Sequence, residues 1–339
     1  MSLVDTFGRQ AQDLRISLTD KCSLRCTYCM PAEGLAWLPS QAVLSDDEIL
    51  RLAGIFVGLG VRTIRLTGGE PLVRAGVAGL VARLAGLRPR PELSLTTNAL
   101  SLADKATELA EAGLDRVNVS LDTLDRQRFA ELTRRDRLAD VLAGLAAARA
   151  AGLDPLKVNA VLMREHNLAE APDLLGWALR QGYQLRFIEH MPLDADHRWT
   201  LQDMVTAEEV LAILGERFEL RPVAHRGHAP AEEFEVLSGP GQPEWQRIDG
   251  QPPRVGIIAS VTRPFCRACD RLRLTADGQL RSCLFGHQET DLRGALRAGG
   301  SDAEIAELIR AAVRAKPAGH GITAPGFRQP DRPMSAIGG

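Results

Sequence analysis

Between Asp13 and Ile188, short runs rich in β-branched residues alternate with amphipathic stretches of helical period. The runs are Asp13–Leu18, Thr63–Leu66, Leu93–Thr97, Val117–Leu121, Leu156–Val161 and Gln184–Ile188. Helical patterns at Asp46–Leu59, Val77–Leu87, Ala103–Ala112, Leu138–Ala151 and Leu168–Gln181 lie between them. Ser45 and Glu48 have the spacing of a capping box, and Gly60, Gly113, Gly152 and Gly182 stand where helices should stop. Strand-then-helix units in series imply a parallel sheet covered by helices. Six units are too few for a closed eight-fold barrel and fit an open, partial one. Ligands of such sheets bind at the C-terminal ends of the strands.

After Pro192 the pattern changes. Thr206–Arg217 reads as a helix, and the stretch from Arg221 to Pro253 is rich in Pro, Gly and His. Val255–Ser260, Arg271–Thr275 and Gln279–Cys283 read as strands, with Asp277-Gly278 as a hairpin turn. Helical patterns follow at Asp291–Ala298 and Asp302–Ala315, and the tail from Pro317 to Gly339 is poorly helical. The expected organisation is a partial barrel over residues 1–192 and a C-terminal region over 193–339.

The 339 residues carry a net charge of −2 with a pI near 6.4, so nucleic acid is not the expected partner. Nearly all of the 41 basic residues are arginine. No apolar run reaches membrane-spanning length, and the first residues lack a basic start followed by an apolar stretch. A cytoplasmic setting without a membrane is expected.

The six cysteines fall into two triplets, each one ligand short of a closed site. Cys22, Cys26 and Cys29 form C-x3-C-x2-C; Cys266 and Cys269 form C-x2-C, with Cys283 after thirteen intervening residues. A structural zinc site takes four ligands, and so does a standard cubane. A cubane on three thiolates leaves one iron open to a small molecule. The alternatives are zinc with a fourth ligand such as His287, or three disulfides, which a reducing compartment disfavours. Thr67-Gly68-Gly69-Glu70-Pro71 follows the second strand, where glycines let backbone approach a ligand and Glu70 can take an ammonium group.

The first triplet, with Tyr28 and Met30-Pro31 beside it and the Gly-Gly-Glu-Pro run after the next strand, resembles the signature of the radical S-adenosylmethionine (SAM) enzymes. The run from Arg263 to Phe285, RPFCRACDRLRLTADGQLRSCLF, is similar to one family within them: the radical SAM GTP 3′,8-cyclases of molybdenum cofactor biosynthesis (the MoaA family). IRLTGGEPLVR, TTN, NVSLDTL, LKVNAV, FIEHMP and the closing Gly338-Gly339 extend the resemblance over nearly the whole chain.

The resemblance implies an α/β fold: an incomplete (β/α)6 TIM-like radical SAM barrel, with a C-terminal α+β extension closing it. It implies two [4Fe–4S] clusters, one on Cys22, Cys26 and Cys29 and one on Cys266, Cys269 and Cys283. It places SAM near Tyr28, Gly69, Ser120 and Met191. It places GTP near Arg15, Arg65, Thr96, Lys157, Arg271, Leu272 and Arg273, and brings Gly338 and Gly339 into the active site in support. The implied reaction is conversion of GTP to 3′,8-cyclo-7,8-dihydro-GTP, with the radical carried by SAM's 5′-deoxyadenosyl group rather than by a side chain. A reductant, a homodimer and a next pathway enzyme that accepts the product are the further partners implied.

The residues fit that picture on their own terms. A triphosphate carries about four negative charges, so several cations must converge on it. Arg15, Arg65 and Lys157 lie on or beside separate strands, and Arg271 and Arg273 alternate on one strand and share a face. The chain departs from the family's usual pattern at Ala99, where Gly is more common, at Asp270 in place of Asn, and at Arg134 in place of Gly. Two other readings stay open: a two-cluster radical SAM enzyme with another substrate, such as a peptide, and a non-enzymatic two-zinc interaction protein.

Overall fold

The computed structural model describes residues 2–224, 226–246 and 252–338. Twelve strands form one sheet: β1 (Asp13–Ser17), β2 (Thr63–Thr67), β3 (Glu92–Thr97), β4 (Arg116–Ser120), β5 (Lys157–Leu162), β6 (Gln184–Glu189), β7 (Glu219–Pro222), β8 (Glu232–Ser238), β9 (Arg254–Ile258), β10 (Arg271–Leu274), β11 (Gln279–Arg281) and β12 (Thr290–Asp291). Their order is β12-β11-β10-β1-β2-β3-β4-β5-β6-β9-β8-β7. The run from β10 through β6 to β9 is parallel, and the outer pairs are antiparallel.

The six expected strands are all present, each within a residue of its expected bounds. The strands after Pro192 join the same sheet rather than stacking on it: β9 pairs with β6 and β10 pairs with β1. The sheet is open, because its end strands β12 and β7 are not neighbours.

Helices Asp46–Gly58, Val77–Ala85, Ala106–Glu111, Leu138–Ala150 and Ala171–Gln181 cover the apolar face. Ser45 caps the first of them, accepting from the Glu48 amide at 3.2 Å while the Glu48 carboxylate accepts from the Ser45 amide at 2.8 Å. Gly182 closes the helix before β6 at φ +68, a left-handed value that glycine adopts without strain. A helix at Arg126–Thr133 and the short tail helix Met334–Ile337 were not evident in the sequence. In the first, Arg126, Gln127, Arg128 and Glu131 dilute the apolar stripe, and only Phe129, Leu132 and Thr133 are buried.

Strand alternation divides the side chains between two surfaces. Leu14, Ile16, Ile64, Leu66, Leu93, Leu95, Val117, Val119, Val158 and Ala160 point into one continuous core. Burying each large aliphatic side chain stabilises the fold by about 1.5–3 kcal/mol. The opposite face is polar and lines a cavity. A second, smaller apolar cluster of Leu193, Met204, Val261, Phe285, Ile322 and Ile337 seats the tail, with Met191 and Met334 packed against it.

No helix among the described residues is long and apolar enough to cross a membrane.

Candidate active site

The strand register sets three arginines in a row. Arg273 on β10, Arg15 on β1 and Arg65 on β2 are successive partners. One residue pair earlier, Arg271 stands beside Asp13. Neighbouring strands are about 4.8 Å apart, so these side chains enter one space. Arg186 on β6 reaches it from the far side, with Nη2 donating to Asn118 Oδ1 at 3.0 Å. Gly256, its partner on β9, makes the room: a Cβ there would lie 2.9 Å from Arg186 Cγ.

These residues line a cavity of about 270 Å³ with Tyr28, Cys29, Thr96, Ser120, Asn159, Met191 and the three cysteines of the second triplet. Positive charge in it far exceeds negative. Burial presses down on the ionisation of Arg15, Arg65, Arg186 and Arg273, and neighbouring guanidiniums add to the effect. At Asp13 burial pushes the carboxyl up, but Arg15, Arg65, Arg271 and Arg273 outweigh it and hold the group below its ordinary value. Like charges about 6 Å apart repel by roughly 3 kcal/mol at an effective dielectric near 20. Nε of Arg15, Arg65, Arg186 and Arg271 has no hydrogen-bond partner among the described residues. Buried, unpaired donors of one sign, aimed into one cavity, are the arrangement that a polyanion would satisfy.

Lys157 stands behind this wall on β5, beside Asn118. Burial, with Arg186, Arg116 and Arg65 as like charges, lowers its ammonium from 10.5 to about 8. Leu272 is fully buried on the opposite face from Arg271 and Arg273, so only its backbone could meet a ligand. Arg271 also stacks on Phe265, its guanidinium carbon 4.7 Å from the ring centre, and donates to the His228 carbonyl at 2.9 Å.

The first cysteine triplet lies in the loop after β1. Arg25 ties that loop to itself, donating to the carbonyls of Cys22 at 2.7 Å and Leu24 at 2.8 Å. Arg134 ties it to the helix Arg126–Thr133, donating to the carbonyls of Arg25 at 2.9 Å and Met30 at 3.0 Å. Arg134 and Ala99, two of the departures from the family pattern, both have left-handed backbone, φ +55 and +63. Glycine is the residue that geometry favours.

The Gly-Gly-Glu-Pro loop packs directly on the cysteine loop. A Cβ on Gly69 would lie 2.4 Å from the Lys21 carbonyl oxygen and 2.5 Å from that of Asp20. Glu70 is turned inward: its carboxylate accepts from Thr97 Oγ1 at 2.7 Å and from the amides of Asn98 at 2.7 Å and Leu72 at 3.0 Å. Burial raises it to about 6 against those three donors. Its shown task is to join the ends of β2 and β3. Tyr28 donates to Asp122 Oδ2 at 2.7 Å across the cavity.

All six cysteines are free. Among the described residues no three His, Cys, Asp or Glu side chains converge on a point that one ion could occupy. His287, the possible fourth ligand, is exposed and faces the Arg328 carbonyl at 3.1 Å, away from the cavity wall. Three thiols per site are the donor set that a cubane with one open iron would take. Burial pushes the thiols of Cys22 to about 12 and Cys29 to about 11. A cationic iron core would supply the charge that lets such buried sulfurs ionise.

Strand alternation also marks Arg186, a basic residue at an inward position of β6 like Arg15 and Arg65 on their strands. Asn159 follows the same logic. Arg9 and Lys316, both on the cavity wall, gave no such signal, because neither lies on a strand.

A three-cysteine loop after the first strand and a glycine loop after the second, at the C-terminal ends of a parallel sheet, define a radical SAM protein. Residues 16–178 match the radical SAM superfamily model, and residues 183–322 match that named Molybdenum Cofactor Synthesis C. The chain is 60% identical over 340 residues to the GTP 3′,8-cyclase of Streptomyces coelicolor, spanning 99% of this chain and 96% of that one. It is 58% identical over 339 residues to the GTP 3′,8-cyclase of Mycolicibacterium smegmatis, spanning 99% and 92%. The chain belongs to the GTP 3′,8-cyclase family. In fold it is similar to Streptococcus suis SuiB bound to the precursor peptide SuiA, with a TM-score of 0.58 at 15% identity over 94% of this chain and 68% of that one.

Proposed function

We propose that this chain converts GTP to 3′,8-cyclo-7,8-dihydro-GTP, the first step of molybdenum cofactor biosynthesis. The observation that carries the reading is the set of guanidiniums, Arg15, Arg65, Arg186, Arg271 and Arg273, that line one cavity, with Asp13 as the carboxylate neighbour of all but Arg186. They suit a triphosphate, and Lys157 behind them adds a sixth positive charge. The 60% and 58% identity to the two cyclases above, over nearly the whole of each chain, supports the choice of GTP.

In this reading residues 1–192 are a partial barrel and residues 193–339 a C-terminal region whose strands extend its sheet at both edges. Cys22, Cys26 and Cys29 hold one [4Fe–4S] cluster, and Cys266, Cys269 and Cys283 hold a second. A cluster held by Cys22, Cys26 and Cys29 would, when bound, supply the one-electron chemistry that cleaves SAM, and completing the dihydro product would need a second electron and a proton from the reductant and solvent.

The protein's own work is placement and exclusion of water. Gly69 lets backbone approach the SAM amino acid, while Tyr28, Ser120 and Met191 border its adenosyl end. Arg15, Arg65, Thr96, Arg271 and Arg273 fix the nucleotide, with Lys157 and the Leu272 backbone in support. Gly338 closes the cavity, and Gly339 lies outside the described residues. A reductant, a homodimeric state and a pathway enzyme that takes up the product complete the reading.

The test is an anaerobic reaction of reconstituted protein with SAM, a reductant and GTP deuterated at C3′. Deuterium in 5′-deoxyadenosine, with loss of GTP, is the expected result. SAM cleavage without deuterium transfer would remove GTP as substrate.

A further inference from the structure

The corner that holds the second cysteine triplet contains a buried cation without a counter-charge. Lys316 is 4% exposed. Its ammonium donates to the carbonyls of Cys269 and Arg271, each at 2.9 Å, and lies 3.6 Å from the Cys269 sulfur. It forms no ion pair with a carboxylate among the described residues, and the three groups it touches are two carbonyl dipoles and one sulfur.

Arg9 provides a contrast in the same corner. It donates to the carbonyls of Cys266 at 2.7 Å, Pro317 at 2.6 Å and Ala318 at 3.1 Å. Its charge is matched locally by Asp5, whose Oδ2 lies 2.5 Å from Nε. Arg9 therefore needs nothing from the cavity. Lys316 does, because burying an unpaired ammonium costs several kcal/mol. The group at contact distance that can carry a full negative charge is Cys269 as thiolate.

We propose that Lys316 is the charge partner of the second iron–sulfur site, donating an N–H to the Cys269 sulfur and favouring the reduced cluster. A [4Fe–4S]2+ core on three thiolates carries one net negative charge, which the ammonium neutralises. One further electron adds another negative charge beside the same cation, so removing the cation makes reduction harder. Lys316 is a positioning and tuning residue in this role. The proposal rests on the reading of Cys266, Cys269 and Cys283 as a second cluster.

The experiment uses the full chain, reconstituted anaerobically, as wild type, Lys316→Gln and Lys316→Arg. Iron and sulfide are counted per chain, and the second cluster is titrated by EPR against potential. Its signal is identified as the one that survives replacement of Cys22, Cys26 and Cys29 by alanine. Lys316→Gln is expected to keep both clusters and to lower the reduced-to-oxidised ratio about tenfold at the wild-type midpoint, a shift of ~59 mV for one electron. Lys316→Arg, which keeps the charge, should stay close to wild type, and the first cluster's midpoint should not move. Loading lost in Lys316→Gln but kept in Lys316→Arg also supports a charge partner. Full loading with an unmoved midpoint in Lys316→Gln overturns the proposal and leaves the two-cluster reading intact. Loss of the second cluster in both variants assigns Lys316 to packing and overturns it too. Iron for only one cluster in the wild type overturns the underlying reading, and the proposal with it.

Discussion

The backbone carbonyl of Gly338 accepts a hydrogen bond from the guanidinium of Arg273, 65 residues earlier in the chain. The contact brings the tail to the C-terminal ends of β1 and β2. There a Cβ on Gly338 would lie 2.6 Å from Thr67 Oγ1 and 3.1 Å from Ser17 Cβ. Arg332 anchors the tail upstream, donating to the two oxygens of Asp277 at 3.0 and 2.9 Å.

Gly338→Ala meets both that crowding and a backbone at φ +90. The expected result is a fall of tenfold or more in kcat/KM for GTP, about 1.4 kcal/mol per decade. The melting temperature should stay within about 2 °C, since the tail is at the edge of the core. Loss of folding in step with activity would instead make the tail a structural element.

Lys157 makes GTP affinity depend on pH. Its free-state value of about 8 means that the ammonium is present below that pH and lost above it. A bound triphosphate favours the charged form, so affinity should fall above pH 8, by at most about tenfold per unit. Lys157→Arg, which stays charged, should flatten the profile measured by equilibrium dialysis at pH 7, 8 and 9. Matching profiles for the two proteins would show that Lys157 does not sense the phosphates.

Gly69→Ala pushes a methyl group into the carbonyls of Asp20 and Lys21. These are backbone atoms at the base of the cysteine loop, so the two loops must separate. A stability loss of about 1–3 kcal/mol is expected. SAM binding by dialysis should weaken at least tenfold, and unchanged binding would count against this loop as the SAM contact.

Arg134→Gly separates two effects at one position. The substitution relieves left-handed strain worth about 1 kcal/mol, so thermal stability should hold or rise. It also removes the donors to the Arg25 and Met30 carbonyls. Iron of the first cluster should then leave several-fold faster under a chelator. An unaltered release rate would show that the clamp is idle.

Much of this was legible in the chain because it is local. The period of the apolar residues determined the six central strands, and the order of motifs along them put both loops at one end of the sheet. Arg271 and Arg273 share a face for no reason beyond strand pleat. Arg186 obeys the same rule and could have been found by it. What spacing could not supply was pairing between distant segments. That Arg273, Arg15 and Arg65 are neighbours depends on β10 joining β1, 258 positions away by register of Asp13 with Arg271. That Arg9 reaches Cys266 depends on loops meeting from opposite ends of the chain, and that Lys316 reaches Cys269 depends on segments 47 residues apart folding together. Local pattern determines which face a side chain takes, because two neighbours along the backbone decide it. Only the closed tertiary structure decides which charges meet, because desolvation and Coulomb energy act between groups that the sequence keeps far apart.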